Sequence, residues 1–191
     1  MADSNVTKKA LANALKELMN EVPFEKINVA QICEKCNMNR KSFYYHFKDK
    51  YDLVNWIFDL EFISILTIEN TDVTQKPYQD RWELLDNLCE TFYENKTFYR
   101  KALKISGQNS FSEHFRECMH PIIKKRLEYI LDSNNLNEFS INFFSDACVC
   151  AFERWLLEKN CMTPNEFTSL LKNVFQTCAI AIYNDMQNHL L

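Results

Sequence analysis

Apolar residues recur three and four positions apart along most of the chain, the spacing that puts them on one face of a helix. In the first such segment Leu11, Leu15 and Leu18 follow this rule and predict a helix over about residues 7–20. Pro23 ends the segment, because proline has no amide hydrogen to donate inside a helix. The pattern therefore predicts one amphipathic helix followed by a proline break.

Two short helices are predicted next. Asn28 opens the second helix with a capping-box pattern, and Asn37 comes about two turns later. Asparagine tolerates the left-handed backbone of a sharp turn, so a turn is expected there. Asn39 can cap a third helix, in which Phe43 and Phe47 stand one turn apart and face a core. Two short helices joined by a tight turn form a helix-turn-helix.

The rest of the chain keeps the helical period. Asp49 can cap a long fourth helix, and Pro121 is expected to kink a later one. A single glycine in 191 residues fits an all-α fold, since β-hairpins commonly need glycine. We predict about nine helices, in a helix-turn-helix DNA-binding domain of residues 1–48 and a helical regulatory and dimerisation domain of residues 49–191. The later helices are expected near residues 78–94 and 96–106, from Ser110, and near residues 137–160 and 164–189.

The charge is unevenly distributed along the chain. The formal net charge is -4, yet residues 1–50 hold nine Lys and Arg against six Asp and Glu. The basic N-terminal segment, which we call the head, precedes an acidic remainder, which we call the body. This distribution indicates that the head binds DNA. No uncharged apolar run is long enough for a membrane span, and the N-terminus lacks the apolar stretch of a signal peptide. The eight cysteines are therefore expected as reduced thiols in the cytoplasm.

The third predicted helix presents hydrogen-bond donors on the face opposite its phenylalanines. Arginine and lysine can bond guanine, serine can bond several base edges, and tyrosine or histidine can reach a phosphate or a thymine methyl. The alternative is an ordinary core helix with a solvated charged face, but the short helix and turn before it favour DNA recognition. The donors are Arg40, Lys41, Ser42, Tyr44 and His46, with Lys48 and Lys50 just beyond.

The first 60 or so residues resemble the N-terminal domain of the tetracycline-repressor (TetR/AcrR) family of bacterial regulators. The run FYYHFKDKYDL at residues 43–53 is highly specific to that family. The resemblance implies base contacts from Arg40, Lys41, Ser42 and Tyr44, and phosphate contacts from Tyr45, His46, Lys50 and Thr7 at the start of the first helix.

Two positions depart from the family pattern. Ala30 stands where many relatives carry arginine on the second helix, which puts a base contact from that helix in doubt. Asn37 replaces the usual turn glycine. Two segments, residues 23–47 and residues 151–167, are more particular and are similar to the dihydroxyacetone-kinase-regulator branch of the family.

The resemblance implies a homodimeric transcriptional regulator, a repressor or an activator, on a near-palindromic double-stranded DNA operator. A small-molecule effector bound in the helical body would change operator affinity by favouring one of two conformational states. The alternative is a co-regulator whose body binds another protein in place of the small ligand. A large internal cavity favours the first function, and a filled core with an exposed apolar patch favours the second.

Aromatic residues are dense in the middle helices, and apolar stripes run along the last two. Either the aromatics fill the core or some of them line an effector cavity, and helical spacing does not separate the two. In the resembling family the two closing helices pair with their copies as a dimer interface. The candidate pocket residues are Trp82, Phe92, Tyr93, Tyr99, Phe115, His120 and Phe144, and the candidate dimer residues are Phe152, Trp155, Phe175, Cys178 and Ile182.

Cysteine and histidine spacings suggest weaker alternatives. Cys33 and Cys36 form a C-x-x-C that could hold zinc or sense oxidation, but no second pair stands at zinc-finger spacing, so buried core thiols are expected. The segment SEHFRECMHP could gather metal ligands, yet a solvated polar helix face is more common. No glycine-rich phosphate loop or catalytic constellation stands out. We therefore expect no metal, no cofactor and no enzymatic activity.

Overall fold

The computed structural model describes residues 2–71, 82–106, 110–131 and 136–188. Within these ranges the chain forms nine α-helices, a single 3-10 turn at Phe24–Lys26, and no strand. The predicted all-α fold is therefore confirmed. The helices are α1 (Ala2–Glu21), α2 (Val29–Lys35), α3 (Arg40–His46), α4 (Lys50–Thr71), α5 (Glu83–Glu94), α6 (Lys96–Ala102), α7 (Phe111–Leu131), α8 (Glu138–Leu157) and α9 (Pro164–Asn188).

Side-chain caps begin the two short helices at the predicted residues. Asn28 accepts a hydrogen bond from the Gln31 amide at 3.0 Å, and the Gln31 side chain accepts one from the Asn28 amide at 2.9 Å. At the start of α3, Asn39 accepts a hydrogen bond from the Ser42 amide at 2.8 Å. Such caps satisfy amide groups that have no partner inside the helix. They fix the first residue of both helices of the helix-turn-helix.

The turn between α2 and α3 uses a left-handed residue, as expected. Asn37 has a φ of 53°, and the Met38 amide donates to the Cys33 carbonyl at 2.8 Å. This conformation brings the side chain close to the backbone, a cost that asparagine tolerates better than branched residues do. The turn sets the direction in which α3 leaves α2.

The chain divides into two compact units. The first comprises Met1–Ser64 and Asn95–Ser112, and the second comprises Ile65–Glu94 and Glu113–Leu191. Helix α6 therefore belongs with the helix-turn-helix, while α4 and α7 each contribute residues to both units. The functional boundary after residue 48 stays a prediction.

The first unit buries an apolar core beneath the helix-turn-helix. Helix α1 packs against α2 and α6, and α2 packs against α3. Leu11, Leu15, Phe43 and Phe47 are all at most 3% exposed. Burial of the two phenylalanines holds α3 in place, because a helix of seven residues is too short to be stable alone.

Polar contacts fasten α6 to α1 and α4 within the first unit. The buried Tyr99 hydroxyl donates to one carboxylate oxygen of Glu61, and the Lys16 ammonium donates to the other at 2.5 Å. Lys101 donates to the Met19 carbonyl in the last turn of α1, where carbonyls lack helical partners. Burial, together with the Glu61 carboxylate, raises the pKa of Tyr99 well above its ordinary value, so its hydroxyl stays a neutral donor.

Aromatic rings fill the centre of the second unit. The Phe152 ring of α8 lies 5.7 Å from the Phe92 ring and 5.4 Å from the Phe115 ring, measured between centroids. Trp155 stacks on Phe167 of α9 with centroids 4.4 Å apart, and α5 packs against α9. Aromatic pairs in these geometries contribute stability beyond the area they bury.

Two helix boundaries differ from the expected ones by four residues or more. Helix α1 begins at Ala2, five residues earlier, since no helix breaker stands among the residues before the expected start. Helix α6 ends at Ala102, four residues early, because the chain turns there and buries Leu103 and Ile105. The expected start of α5, near residue 78, lies outside the described residues. No helix in the described part of the chain is long and apolar enough to cross a membrane.

Candidate functional site

The outer face of α3 carries cations and tyrosines. Phe43 is fully buried on the inner face, so the helix turns its other face to solvent. On that face Tyr44 is 59% exposed and Tyr45 is 83% exposed, and Arg40 and Lys41 are exposed beside them. Exposed cations and tyrosine hydroxyls are the groups that contact phosphates and base edges.

Ser42 and His46 stand at the edges of this face. Both side chains are half-buried. The His46 ring packs edge-on against the Tyr45 ring with centroids 4.9 Å apart, which limits the rotamers open to Tyr45. The structure thus brings together on α3 six of the residues expected to contact DNA, namely Arg40, Lys41, Ser42, Tyr44, Tyr45 and His46.

Thr7 and Ala30 present fewer groups that could contact DNA than their positions in the sequence suggest. Because α1 begins at Ala2, Thr7 lies more than one turn inside the helix, and its amide is not at the helix N-terminus. Its side chain is half-buried. Ala30 of α2 is half-buried and ends in a methyl group, which carries no donor for a base edge.

Lys50 points its ammonium group into the first unit. Its Nζ lies 2.8 Å from the carbonyl oxygen of Phe24, 3.3 Å from that of Glu25 and 2.7 Å from that of Ile27. The same Nζ lies 4.4 Å from the Phe24 ring centroid, and burial lowers the pKa of Lys50. An ammonium group has three donors, and three carbonyls face them. We therefore propose that Lys50 positions the loop before α2, in place of the expected phosphate contact.

A cavity of about 150 Å³ lies among α5, α7, α8 and α9 in the second unit. Its wall is mostly apolar, with Trp82, Met119 and Ile123 among the lining residues, and it includes the buried Arg126 of α7. The sequence analysis missed Arg126. Its position could have indicated burial, because Arg126 stands three positions after Ile123, inside an apolar stripe of the helix.

One of the seven expected pocket residues, Trp82, lines this cavity. Helical spacing marks residues that face inward, but it does not distinguish a filled interior from an empty one. The other six are placed elsewhere: Phe92 and Phe115 in the aromatic core, Tyr93 stacked on Trp155, Tyr99 in the first unit, His120 half-buried on α7, and Phe144 against the Phe175 ring.

A wide apolar groove of about 570 Å³ runs between α8 and α9. Phe143, Leu170 and Val174 line this groove, and each is more than half exposed. We call these three residues the α8–α9 face. Such a contiguous apolar surface is typical of a protein interface.

The residues expected at the dimer interface lie mostly beneath the α8–α9 face. Phe152, Trp155 and Phe175 are at most 6% exposed, because they pack within their own chain. Cys178 is exposed and lines the groove. The side chain of Ile182 lies outside the described residues. The predicted residues lie on α8 and α9, and the most aromatic of them face inward.

The cysteine pairs lie in different environments. Cys33 is buried, and the Cys36 thiol donates to the Ile32 carbonyl at 3.2 Å. Burial raises the pKa of both thiols, whereas zinc binds the thiolate. Burial also raises the pKa of Cys148 to about 12, while Cys150 is exposed. The burial of Cys33 favours the core role expected for it, and Cys36 is half-buried.

Two helices of seven residues, joined by a left-handed turn, present a cationic and aromatic face above a buried core. This arrangement defines a helix-turn-helix DNA-binding protein. The family model for bacterial regulatory proteins of the tetR family matches residues 11–57, and the model for a transcriptional regulator C-terminal region matches residues 80–177. The chain belongs to the TetR family of transcriptional regulators.

Named relatives have similar sequences and folds. The HTH-type dhaKLM operon transcriptional activator DhaS of Lactococcus lactis subsp. lactis (strain IL1403) is 28% identical over 159 residues, covering 81% of each chain. The solved structure of a dihydroxyacetone kinase operon activator DhaS has a TM-score of 0.64 at 20% identity, over 92% of this chain and 97% of that one.

Two further solved structures share the fold. A putative TetR-family regulator from Syntrophomonas wolfei has a TM-score of 0.69 at 15% identity, over 92% of this chain and 96% of that one. NalD of Pseudomonas aeruginosa, the secondary repressor of a multidrug efflux pump, has a TM-score of 0.62 at 16% identity, over 91% of this chain and 96% of that one.

The contacts of Lys50 predict how its replacement acts. Lys50→Met removes the donor from three carbonyls, so we expect the free energy of unfolding to fall by about 1–3 kcal/mol. We expect the slope of log affinity for DNA against log salt to stay unchanged. The matched variant Lys48→Met removes an exposed cation and should lower that slope by about one. Urea unfolding and fluorescence anisotropy measure the two quantities, and a slope lowered by Lys50→Met at unchanged stability would contradict the positioning role.

Proposed function

We propose that this protein is a homodimeric regulator of a near-palindromic operator and that a small molecule bound in its second unit controls operator affinity. The single observation that carries the DNA-binding part is the exposed cationic and aromatic face of α3, opposite the fully buried Phe43. In a helix-turn-helix protein the second helix enters the major groove. Helix α3 is that second helix.

The groups on α3 divide into base readers and phosphate contacts. Arg40 and Lys41, in the first turn, are proposed to bond guanine, with Ser42 and Tyr44 contacting neighbouring bases. Tyr45 and His46 are proposed to hold phosphates, as is the exposed Lys48 directly after the helix. The Thr7 hydroxyl of α1 is a further proposed phosphate contact.

The α8–α9 face supports a homodimer. One seven-residue helix makes few base contacts, so specific binding needs two heads about one DNA turn apart, roughly 34–36 Å. Pairing of α8 and α9 with their copies would cover Phe143, Leu170 and Val174 in an isologous, largely apolar interface. The two-fold axis of that interface would match the symmetry of a near-palindromic operator.

The cavity among α5, α7, α8 and α9 supports control by a small molecule. A ligand that fills this cavity in one conformation of the protein and not in another shifts the population toward the first. Helix α7 supplies Met119 and Ile123 to the cavity and Phe111 to the first unit. We propose that displacement of α7 links effector binding to the head.

Whether the protein activates or represses transcription is proposed to depend on where the operator lies relative to the promoter. DhaS is an activator by name, and NalD is a repressor by name. A bound dimer that overlaps a promoter blocks the polymerase, and one that lies upstream can recruit it. The same DNA-binding head therefore serves either outcome.

A protein partner for the body is the second candidate function. Phe139 of α8 is 78% exposed, and its ring stacks beside that of Phe143 with centroids 6.4 Å apart. Exposed aromatic side chains are frequent anchors of protein interfaces. A partner seated on Phe139 would act on α8 from outside, where a small ligand would act from the cavity.

Replacement of Arg40 tests the DNA-binding function. Arg40→Ala should reduce affinity for the preferred operator by about 1–3 kcal/mol, with a much smaller loss on random DNA, because a bidentate base contact is lost. The operator is first selected from a random duplex pool, and affinities are then measured by fluorescence anisotropy. Lys48→Ala serves as the control and should weaken both DNAs alike. Equal losses on both DNAs from Arg40→Ala would contradict a base-reading role.

A charge placed on the α8–α9 face tests the dimer. Val174→Glu puts a carboxylate into the proposed apolar interface and should give monomers, because an unpaired charge would be buried there. The matched control Asn173→Glu adds the same charge at the adjacent exposed position, which does not line the groove, and should stay dimeric. Sedimentation velocity at micromolar concentration measures both. A Val174→Glu protein that remains dimeric would place the interface elsewhere.

A further inference from the structure

The cavity of the second unit and the apolar groove between α8 and α9 share a wall. Three described side chains line both spaces, namely Cys148 of α8 and Leu171 and Phe175 of α9. Protein interiors are closely packed, so a side chain in such a wall cannot move toward one space without changing the shape of the other. The shared wall therefore joins the two apolar features of this unit.

Phe175 is the largest of the three shared side chains, and its ring contacts a further ring of each space. It meets the Trp82 ring at 81° with centroids 6.0 Å apart, and it lies 5.0 Å from the centroid of the Phe144 ring. Trp82 lines the cavity, and Phe144 lines the groove. The Phe175 ring thus connects an aromatic side chain of the cavity with an aromatic side chain of the groove.

The position of the Phe175 ring depends on what fills the cavity. The side chain is 6% exposed, but it borders empty volume, and a ring beside empty volume lacks the contacts that filled packing would supply. A ligand in the cavity supplies those contacts and favours one position of the ring. Because the same ring shapes the groove, a ligand in the cavity changes the free energy of an association that uses the groove.

We propose that Phe175 is a positioning residue that couples occupancy of the cavity to self-association through the α8–α9 face. A small apolar ligand holds the ring in the position described here, and the dimer becomes more stable. Dimerisation strengthens ligand binding in turn, because thermodynamic linkage is reciprocal. This inference rests on the proposed dimer and effector cavity, and it names the residue through which one acts on the other.

Benzene tests the coupling, because an apolar cavity of about 150 Å³ is large enough for one benzene ring. The dimer dissociation constant of the full chain is measured by sedimentation equilibrium with and without saturating benzene. We expect benzene to lower this constant at least about fivefold. Since a dimer has two such cavities, the benzene affinities of dimer and monomer should differ by the square root of that factor, with Val174→Glu as the monomer in calorimetry. An unchanged or weaker dimer, or no binding of benzene at millimolar concentration, would overturn the proposal.

Two phenylalanines of α9 assign the coupling to Phe175. Phe175→Leu removes the ring, so benzene should then change the dimer dissociation constant by less than about twofold. Phe167 is the matched control, because it is 7% exposed on the same helix and lines the groove but is not among the described residues that line the cavity. Phe167→Leu should keep the full response to benzene.

The response to benzene separates coupling from a merely structural role. A structural role of Phe175 would alter the dimer dissociation constant itself and leave its response to benzene in place. Circular dichroism verifies that each variant folds, and Phe175→Met, with a more adaptable side chain, replaces Phe175→Leu if the latter does not fold. A full response to benzene in the folded Phe175 variant would contradict the assignment.

A substitution that fills the cavity tests the coupling without a ligand. Leu88 of α5 is 1% exposed and lines the cavity, and it is not among the described residues that line the groove. Leu88→Phe occupies part of the empty volume and should lower the dimer dissociation constant, as benzene does. The double variant with Phe175→Leu should lose this effect, which a double-mutant cycle measures. A folded Leu88→Phe protein with an unchanged dimer dissociation constant would contradict the proposal.

The oligomeric state and the operator affinity separate this inference from the proposed function. If the wild type is monomeric at micromolar concentration, the proposed dimer fails and the inference fails with it. If the wild type is a dimer that binds benzene with an unchanged dimer dissociation constant, the inference alone fails. If benzene strengthens the dimer and the operator affinity of the dimer does not change, the coupling stands and the proposed effector control through the cavity fails.

Discussion

The DNA-binding head depends on the burial of two phenylalanines. Helix α3 has seven residues, and an isolated helix of that length does not persist in water. Phe43 and Phe47, at 0% and 3% exposure, tie it to the core of the first unit. Because these rings fix which face points inward, they also fix which side chains point outward. This packing is what leaves Arg40 and Lys41 exposed on the outer face of α3.

The second unit has two apolar features with different consequences. The cavity is partly open and has a buried arginine in its wall, whereas the α8–α9 face is exposed and made of apolar side chains. Exposing apolar side chains to water costs free energy, so the α8–α9 face is suited to bind a partner surface. A cavity costs packing energy, and a ligand of complementary shape can fill it. We propose that this one unit serves both dimerisation and control.

Local features were predictable from the sequence, and long-range packing was not. The caps at Asn28 and Asn39 and the left-handed Asn37 follow from side chains that act within a few residues, and the structure has them. The contacts of Lys50 were not predictable in this way, because its carbonyl partners stand more than twenty residues earlier in the chain. Phe175 lies on an apolar stripe, but spacing alone does not tell whether a stripe faces its own core or a second copy.

The central claim is that two heads, held by one dimer, read a two-fold symmetric DNA site. Hydroxyl-radical footprinting of the protein on an operator selected from random duplex DNA tests it most directly. Two protected patches of equal strength, related by a two-fold axis and centred about 10 base pairs apart or a multiple of one helical turn, are the predicted result. A single protected patch, with one chain bound per site at saturation, would contradict the claim.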